Sequence, residues 1–202
     1  MSYDVGRREQ RWTDRLPGAF LMVAVTLAVL WGLEILDTAM DGRLDAYGIR
    51  PRSVDGLEGV LFAPFLHAGF GHLFSNSLVF AVLGVIAYAA VTLGKFVAVV
   101  IITALSSGLG AWAFGEPNTV VIGASGVIFG LLGFLLMRGL TERSPGAITI
   151  SIMMLLIYGG TISGILPGAS YVSWQSHLFG FLGGMAAAFL LRRSKRNPYA
   201  WD

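Results

Sequence analysis

Charge is sparse in six long stretches of this chain, and polar residues collect between them. The apolar stretches run at about 17–36, 72–91, 95–114, 124–140, 147–166 and 173–191. Each is close to the roughly 20 residues that a helix needs to cross a bilayer. The breaks carry turn formers: Glu116-Pro117-Asn118 before the fourth stretch, Ser144-Pro145-Gly146 before the fifth and Pro167-Gly168 after it. The pattern predicts six transmembrane helices and no soluble second domain, internal repeat or low-complexity tract. One long loop, about 37–71, mixes charges and glycines with apolar pieces such as Leu57–Leu66. It is expected to be partly helical and to lie at the outer interface.

The basic residues orient the bundle. Arg7, Arg8, Arg11 and Arg15 precede the first stretch, Lys95 separates the second from the third, and Arg138 and Arg143 lie between the fourth and fifth. Arg192, Arg193, Lys195 and Arg196 follow the sixth. These eleven of the 14 Lys and Arg fall on one side of a six-span arrangement. The positive-inside rule places that side, and both termini, in the cytoplasm. The first apolar stretch is too long for a signal-peptide core, so it is expected to be a retained span. The expected domain plan is a cytoplasmic segment 1–16, a membrane domain 17–192 and a cytoplasmic tail 193–202. With short tails and no targeting peptide, a bacterial inner membrane is the expected location.

Composition agrees. The chain is 55% hydrophobic and 13% charged, with a mean hydropathy of +0.71, whereas soluble domains carry about 25% charged residues. Its 27 glycines suit close helix packing in lipid. No cysteine is present, which excludes disulfides, thiolate catalysis and cysteine-based metal sites. The pI of about 9.2 reflects membrane-flanking charge, and no basic stripe with interleaved aromatics suggests nucleic acid. Oligomeric state is not legible.

Ionisable and polar groups inside spans are costly, and so are functional by default. Ser125 opens the fourth stretch in Gly123-Ala124-Ser125-Gly126. Small neighbours leave its hydroxyl approachable, and a helix N-terminus favours a developing oxyanion. The competing reading is an N-cap serine or a small packing residue. His177 opens the sixth stretch, and Gly180 and Gly184 follow on its face, a small-residue face that admits another helix closely. Were that helix the fourth, His177 would reach Ser125 as its general base. The competing reading is an interfacial histidine bonded to a loop. His72 and Asn76 share a face of the second stretch at i, i+4. They read either as oxyanion donors or as helix–helix hydrogen bonds. His67 reads as structural. No Asp or Glu lies inside the second to sixth stretches, so a Ser-His dyad is the permitted arrangement rather than a triad.

Taken in order, His67-x(4)-His72-x(3)-Asn76, Gly123-x-Ser125-Gly126 and His177-x-x-Gly180-x-x-x-Gly184 resemble the rhomboid intramembrane serine proteases over about residues 17–192. The resemblance implies an all-α, six-transmembrane-helix rhomboid-like bundle. It implies Ser125 as nucleophile and His177 as base, with His72, Asn76 and the Ser125 backbone N–H as oxyanion hole and Gly123 in the loop that shapes it. Two positions depart from the family pattern. Phe129 stands where many members stack a tyrosine on the catalytic histidine, and no Trp-Arg pair occurs between Asp37 and Gly71.

The expected activity is endoproteolysis of membrane proteins in or near their transmembrane segments, with no metal or organic cofactor. The expected partners are transmembrane protein substrates and the lipid bilayer, with no nucleic acid. A helical substrate must unwind to expose its carbonyls, which predicts small or helix-breaking residues near the cut. The alternatives are an inactive relative that binds or escorts membrane proteins, a small transporter lined by the polar residues, and a three-histidine metal site. The last lacks a His-Glu-x-x-His motif.

Overall fold

A computed structural model describes residues 12–168 and 172–192. Residues 1–11 of the expected segment 1–16, and all of 193–202, lie outside the described residues. Among the described residues, seven α-helices follow in order: α1 (Leu16–Ala39), α2 (Gly59–Phe62), α3 (Phe70–Ala90), α4 (Leu93–Phe114), α5 (Ser125–Glu142), α6 (Pro145–Tyr158) and α7 (Trp174–Leu190). No strand forms among the described residues; a single antiparallel bridge joins Ile49 to Val121. The molecule is an all-α membrane bundle. Among the described residues, five helical segments of 18 residues or more are apolar enough to cross a membrane. α7 has 17 residues, at the short limit of about 17 for a span.

α5 is the central helix. Ten of its 18 residues are buried, four of them glycines. α3, α4, α6 and α7 pack around it, and α1 lies outermost against α3. Lipid tails are as apolar as leucine, so the apolar effect does not drive these helices together, and close packing of small residues must. The α5–α7 contact meets that need. A Cβ on Gly180 would overlap the Gly126 carbonyl oxygen, and one on Gly184 would overlap that of Gly130. Leu73, Leu83, Leu131, Leu135 and Val99 fill the core between the other helices. Trp31 Nε1–H donates to Ser77 Oγ across α1–α3 at 3.1 Å. Ser151 O–H on α6 donates to the Leu135 carbonyl on α5 at 2.7 Å.

Start signals are visible locally. Ser144 Oγ accepts the Ala147 N–H with Pro145 at the first turn of α6. Ser173 Oγ likewise accepts the Ser176 N–H at α7. Arg138 is neutralised by Glu142 one turn on, at 2.7 Å, which lets α5 carry a guanidinium at its end.

The fifth expected span differs from a continuous helix over 147–166. α6 is α-helical only to Tyr158, and Gly159–Ile165 winds as a 3-10 helix. Gly159, Gly160 and Gly164 lower the cost of leaving the α-helix, and the tighter winding redirects the carbonyls at its end.

The 37–71 loop is partly helical, with 3-10 turns at Leu44–Tyr47, Val54–Gly56 and Ala63–Phe65 around α2. Without a Trp-Arg pair, it is held by backbone pairing. Ile49 and Val121 exchange two hydrogen bonds of 3.0 and 2.9 Å, and the Arg52 N–H donates to the Trp112 carbonyl at 2.9 Å. Trp112 returns its indole N–H to the Ser53 carbonyl at 2.8 Å.

Candidate active site

The chain enters α5 through a turn that only glycine tolerates. Gly123 has φ +120°, and its N–H is pinned to the Ala63 carbonyl at 2.8 Å. Ala124 is the N-cap and makes no side-chain cap. Ser125 is therefore the first helical residue, and its hydroxyl does not cap α5. That removes the N-cap explanation and leaves the hydroxyl free for another partner.

The partner is His177. Its Nε2 lies 2.9 Å from Ser125 Oγ, and its Nδ1 lies 3.0 Å from the Gly164 carbonyl oxygen. A carbonyl only accepts, so Nδ1 carries the proton. In the neutral ring Nε2 is then the acceptor, and Ser125 O–H donates to it. This is the geometry of a nucleophile with its base, the base being oriented by a third group. Here the third group is a main-chain carbonyl at the end of the 3-10 segment. Phe129, one turn after Ser125, stacks on the imidazole with ring centroids 4.2 Å apart and planes 14° apart. The ring is thus fixed from its edge and its face.

α3 brings the other polar side chains to the same turn. A Cβ on Gly123 would come 2.7 Å from His72 Cε1 and 3.6 Å from Asn76 Nδ2, so both side chains sit against the Gly123–Ser125 turn. Asn76 is 8% exposed, and its Nδ2 is buried without a hydrogen-bond partner. A buried orphan donor is costly and calls for an explanation. An anion arriving beside Ser125 would supply its acceptor.

His67, before α3, is 1% exposed. Its Nε2 accepts the Ala124 N–H at 3.4 Å, and its ring meets His72 edge to face at 5.3 Å. Burial above all, then the neighbouring His72, pull its pKa down to about 4, against a smaller opposing pull from the Phe65 carbonyl. It stays neutral and ties the loop to the residue before Ser125.

A cavity of about 570 Å³ opens onto Ser125 and His72, walled by Val120, Ile122, Val172, Trp174 and Gln175 and rimmed by Glu116. It is large enough to admit water and an unwound stretch of peptide. Among the described residues, no cluster of three His, Asp or Glu is placed to hold a metal ion.

The structure thus brings Ser125, His177, Phe129, Gly123, His72 and Asn76 together from four elements, with Gly180 and Gly184 at the α5–α7 contact behind them. Sequence reasoning missed four participants. The Gly164 carbonyl has no side-chain signature, though three glycines inside one apolar run hinted at a break. Ser107 and Ser176 hydrogen-bond at 2.7 Å beside Gly126. Glu116, set apart by its loop position, lines the cavity.

A family model described as the Rhomboid domain matches residues 56–194, which include every one of these site residues. An uncharacterised protein of Mycobacterium tuberculosis is 42% identical over 182 residues, covering 86% of this chain and 75% of the relative. The putative rhomboid protease YdcA of Bacillus subtilis is 30% identical over 136 residues, 66% of this chain and 67% of the relative. The rhomboid protease GluP of the same organism is 27% identical over 184 residues, 89% of this chain and 36% of the relative. An apolar helical bundle, a serine and a histidine joined at its interior, and a domain match across both lead to one assignment: this integral multi-pass membrane protein belongs to the rhomboid family.

Proposed function

We propose that this protein is an intramembrane serine endopeptidase in which Ser125 and His177 form a catalytic dyad. The observation that carries this reading is the pair of hydrogen bonds on His177: 2.9 Å to Ser125 Oγ and 3.0 Å to the Gly164 carbonyl. They hold the imidazole in the tautomer that a base requires.

Ser125 Oγ attacks the scissile carbonyl while its proton passes to His177 Nε2. The carbonyl oxygen becomes an anion, held by the Asn76 amide, the His72 ring and the Ser125 backbone N–H, with the positive end of α5 behind them. The C–N bond breaks as the imidazolium gives its proton to the leaving amine. Water from the cavity then repeats the sequence on the acyl-enzyme, and Ser125 regains its proton. The proposed substrates are membrane proteins cut in or near a transmembrane segment. Their carbonyls must leave helical hydrogen bonding first, so small or helix-breaking residues near the cut favour cleavage. The cavity wall at Val120–Ile122 suits an extended peptide. Val121 spends its N–H and C=O on Ile49, which turns those of its neighbours to the other side.

The proposed topology has six spans within 17–192 and both termini cytoplasmic, which puts Ser125 and His177 near the outer surface. The test is cleavage of a purified single-span substrate by the wild type, Ser125→Ala and His177→Ala. Either substitution is expected to lower the rate at least about 10³-fold while the variants keep their thermal unfolding transitions. Cleavage surviving in both folded variants would exclude the dyad. A folded wild type that binds membrane proteins and cuts none would favour an escorting role.

A further inference from the structure

Among the described residues lining the cavity over Ser125, Glu116 is the only Asp, Glu, Lys or Arg. It makes no ion pair among the described residues, and its side chain is exposed. Nothing in the fold of α4 calls for a carboxylate here. Glu116 follows Phe114, the last residue of α4, by two positions. An acidic group at a helix C-terminus is disfavoured by the helix dipole. The turn itself is made by other groups: Thr119 O–H donates to the Glu116 carbonyl at 2.7 Å, Asn118 takes φ +63°, and Pro117 blocks continuation of the helix. Gln175 Nε2 takes the Phe114 carbonyl. The carboxylate and the negative end of α4 therefore add at one point on the rim of a cavity whose described lining holds no other Asp, Glu, Lys or Arg, where low-dielectric walls concentrate a field.

We propose that Glu116 is a specificity residue that selects substrates with a basic side chain, Lys or Arg, just beyond the outer end of the membrane segment to be cut. This rests on the endopeptidase reading and on the outer-facing cavity. The discrimination has physical content because Lys and Arg are scarce on the outer side of membrane proteins. One basic residue there marks a minority of segments. A carboxylate on the rim gains attraction for that residue and repels acidic ones, without touching the reacting atoms.

The test uses three single-span substrates that differ only at that outer position, with Lys, Gln or Glu, each cut by the full-length wild type, Glu116→Gln and Glu116→Lys. Preference is read as the ratio of kcat/KM values within each protein, so a change in overall rate does not confuse it. The wild type is expected to favour Lys over Glu by about 3- to 10-fold, the scale of a partly exposed ion pair at a helix end. Raised salt should shrink that ratio. Glu116→Gln should level it and Glu116→Lys invert it. A wild type that cuts all three alike, or a Lys preference that persists in Glu116→Lys, overturns the proposal while leaving the dyad intact. Cleavage of none of the three, or cleavage that survives Ser125→Ala, instead overturns the endopeptidase reading and this proposal with it.

Discussion

Asn76 separates chemistry from stability at the scale of a single residue. Its buried Nδ2 has no partner, so removing the amide deletes no hydrogen bond from the folded protein. Asn76→Ala is expected to lower kcat by about 10²–10³-fold, the effect of losing one oxyanion donor. The unfolding temperature should change little. A large fall in that temperature would mark Asn76 as a packing residue instead. Gly164 acts through its backbone. A Cβ there would come 3.0 Å from Phe129 Cζ and 3.5 Å from His177 Nδ1. Gly164→Ala should therefore displace the imidazole and lower kcat more than it lowers stability, which paired kinetics and thermal scans would read. His67 gives a pH signature. Its folded pKa of about 4 lies below the ordinary 6.5, so the unfolded chain takes up the proton first. The stabilisation is complete above pH 6.5 and is lost as pH falls toward 4. His67→Gln should flatten the fall in unfolding temperature across that window in detergent. Ser125 and His177 were legible in the sequence because polar side chains in apolar runs stand out. The Gly164 carbonyl was not, since every residue owns a carbonyl and only the winding of the chain decides which one faces a ring.

Among the elements, the α5–α7 pair decides whether the dyad exists. The two helices approach until the backbone of one touches the other, at Gly126–Gly180 and Gly130–Gly184. An added methyl group would meet carbonyl oxygens that cannot rotate away. Gly180→Ala and Gly184→Ala are expected to destabilise the fold by about 1–3 kcal/mol and to widen the gap between Ser125 and His177. Both a lower unfolding temperature and a lower kcat should follow. Alanine at Gly146, which has open space around its Cβ, serves as the control and should be nearly silent. The positions of the helices were legible because a bilayer demands long apolar runs. The 3-10 winding of Gly159–Ile165 was not, because mean hydropathy does not distinguish i+3 from i+4 bonding. α6 buries only Ala147 and Met154, so little packing pattern marks where its α-helical part ends.

For the molecule as a whole, the charge asymmetry carries the orientation. Eleven of the 14 basic residues lie on one side of the proposed six-span arrangement, in which Ser125 opens its helix at the other. A reporter fused after Asp202 should signal cytoplasm, and an outer-side signal would break the six-span topology. The family was legible because three short motifs fall in order on separate helices, each weak alone and specific together. What the motifs do not carry is the assembled cavity, where residues as far apart as Ser125 and His177, 52 positions, converge through the packing of α3, α5 and α7 and where Glu116 lies on the rim. The central claim is that Ser125 is a nucleophile activated by His177. Its most direct measurement is labelling of the purified protein with a fluorophosphonate, followed by peptide mass mapping. One adduct on Ser125 is expected, absent in Ser125→Ala and strongly slowed in His177→Ala. An adduct on another residue, or a Ser125 adduct formed equally fast without His177, would contradict it.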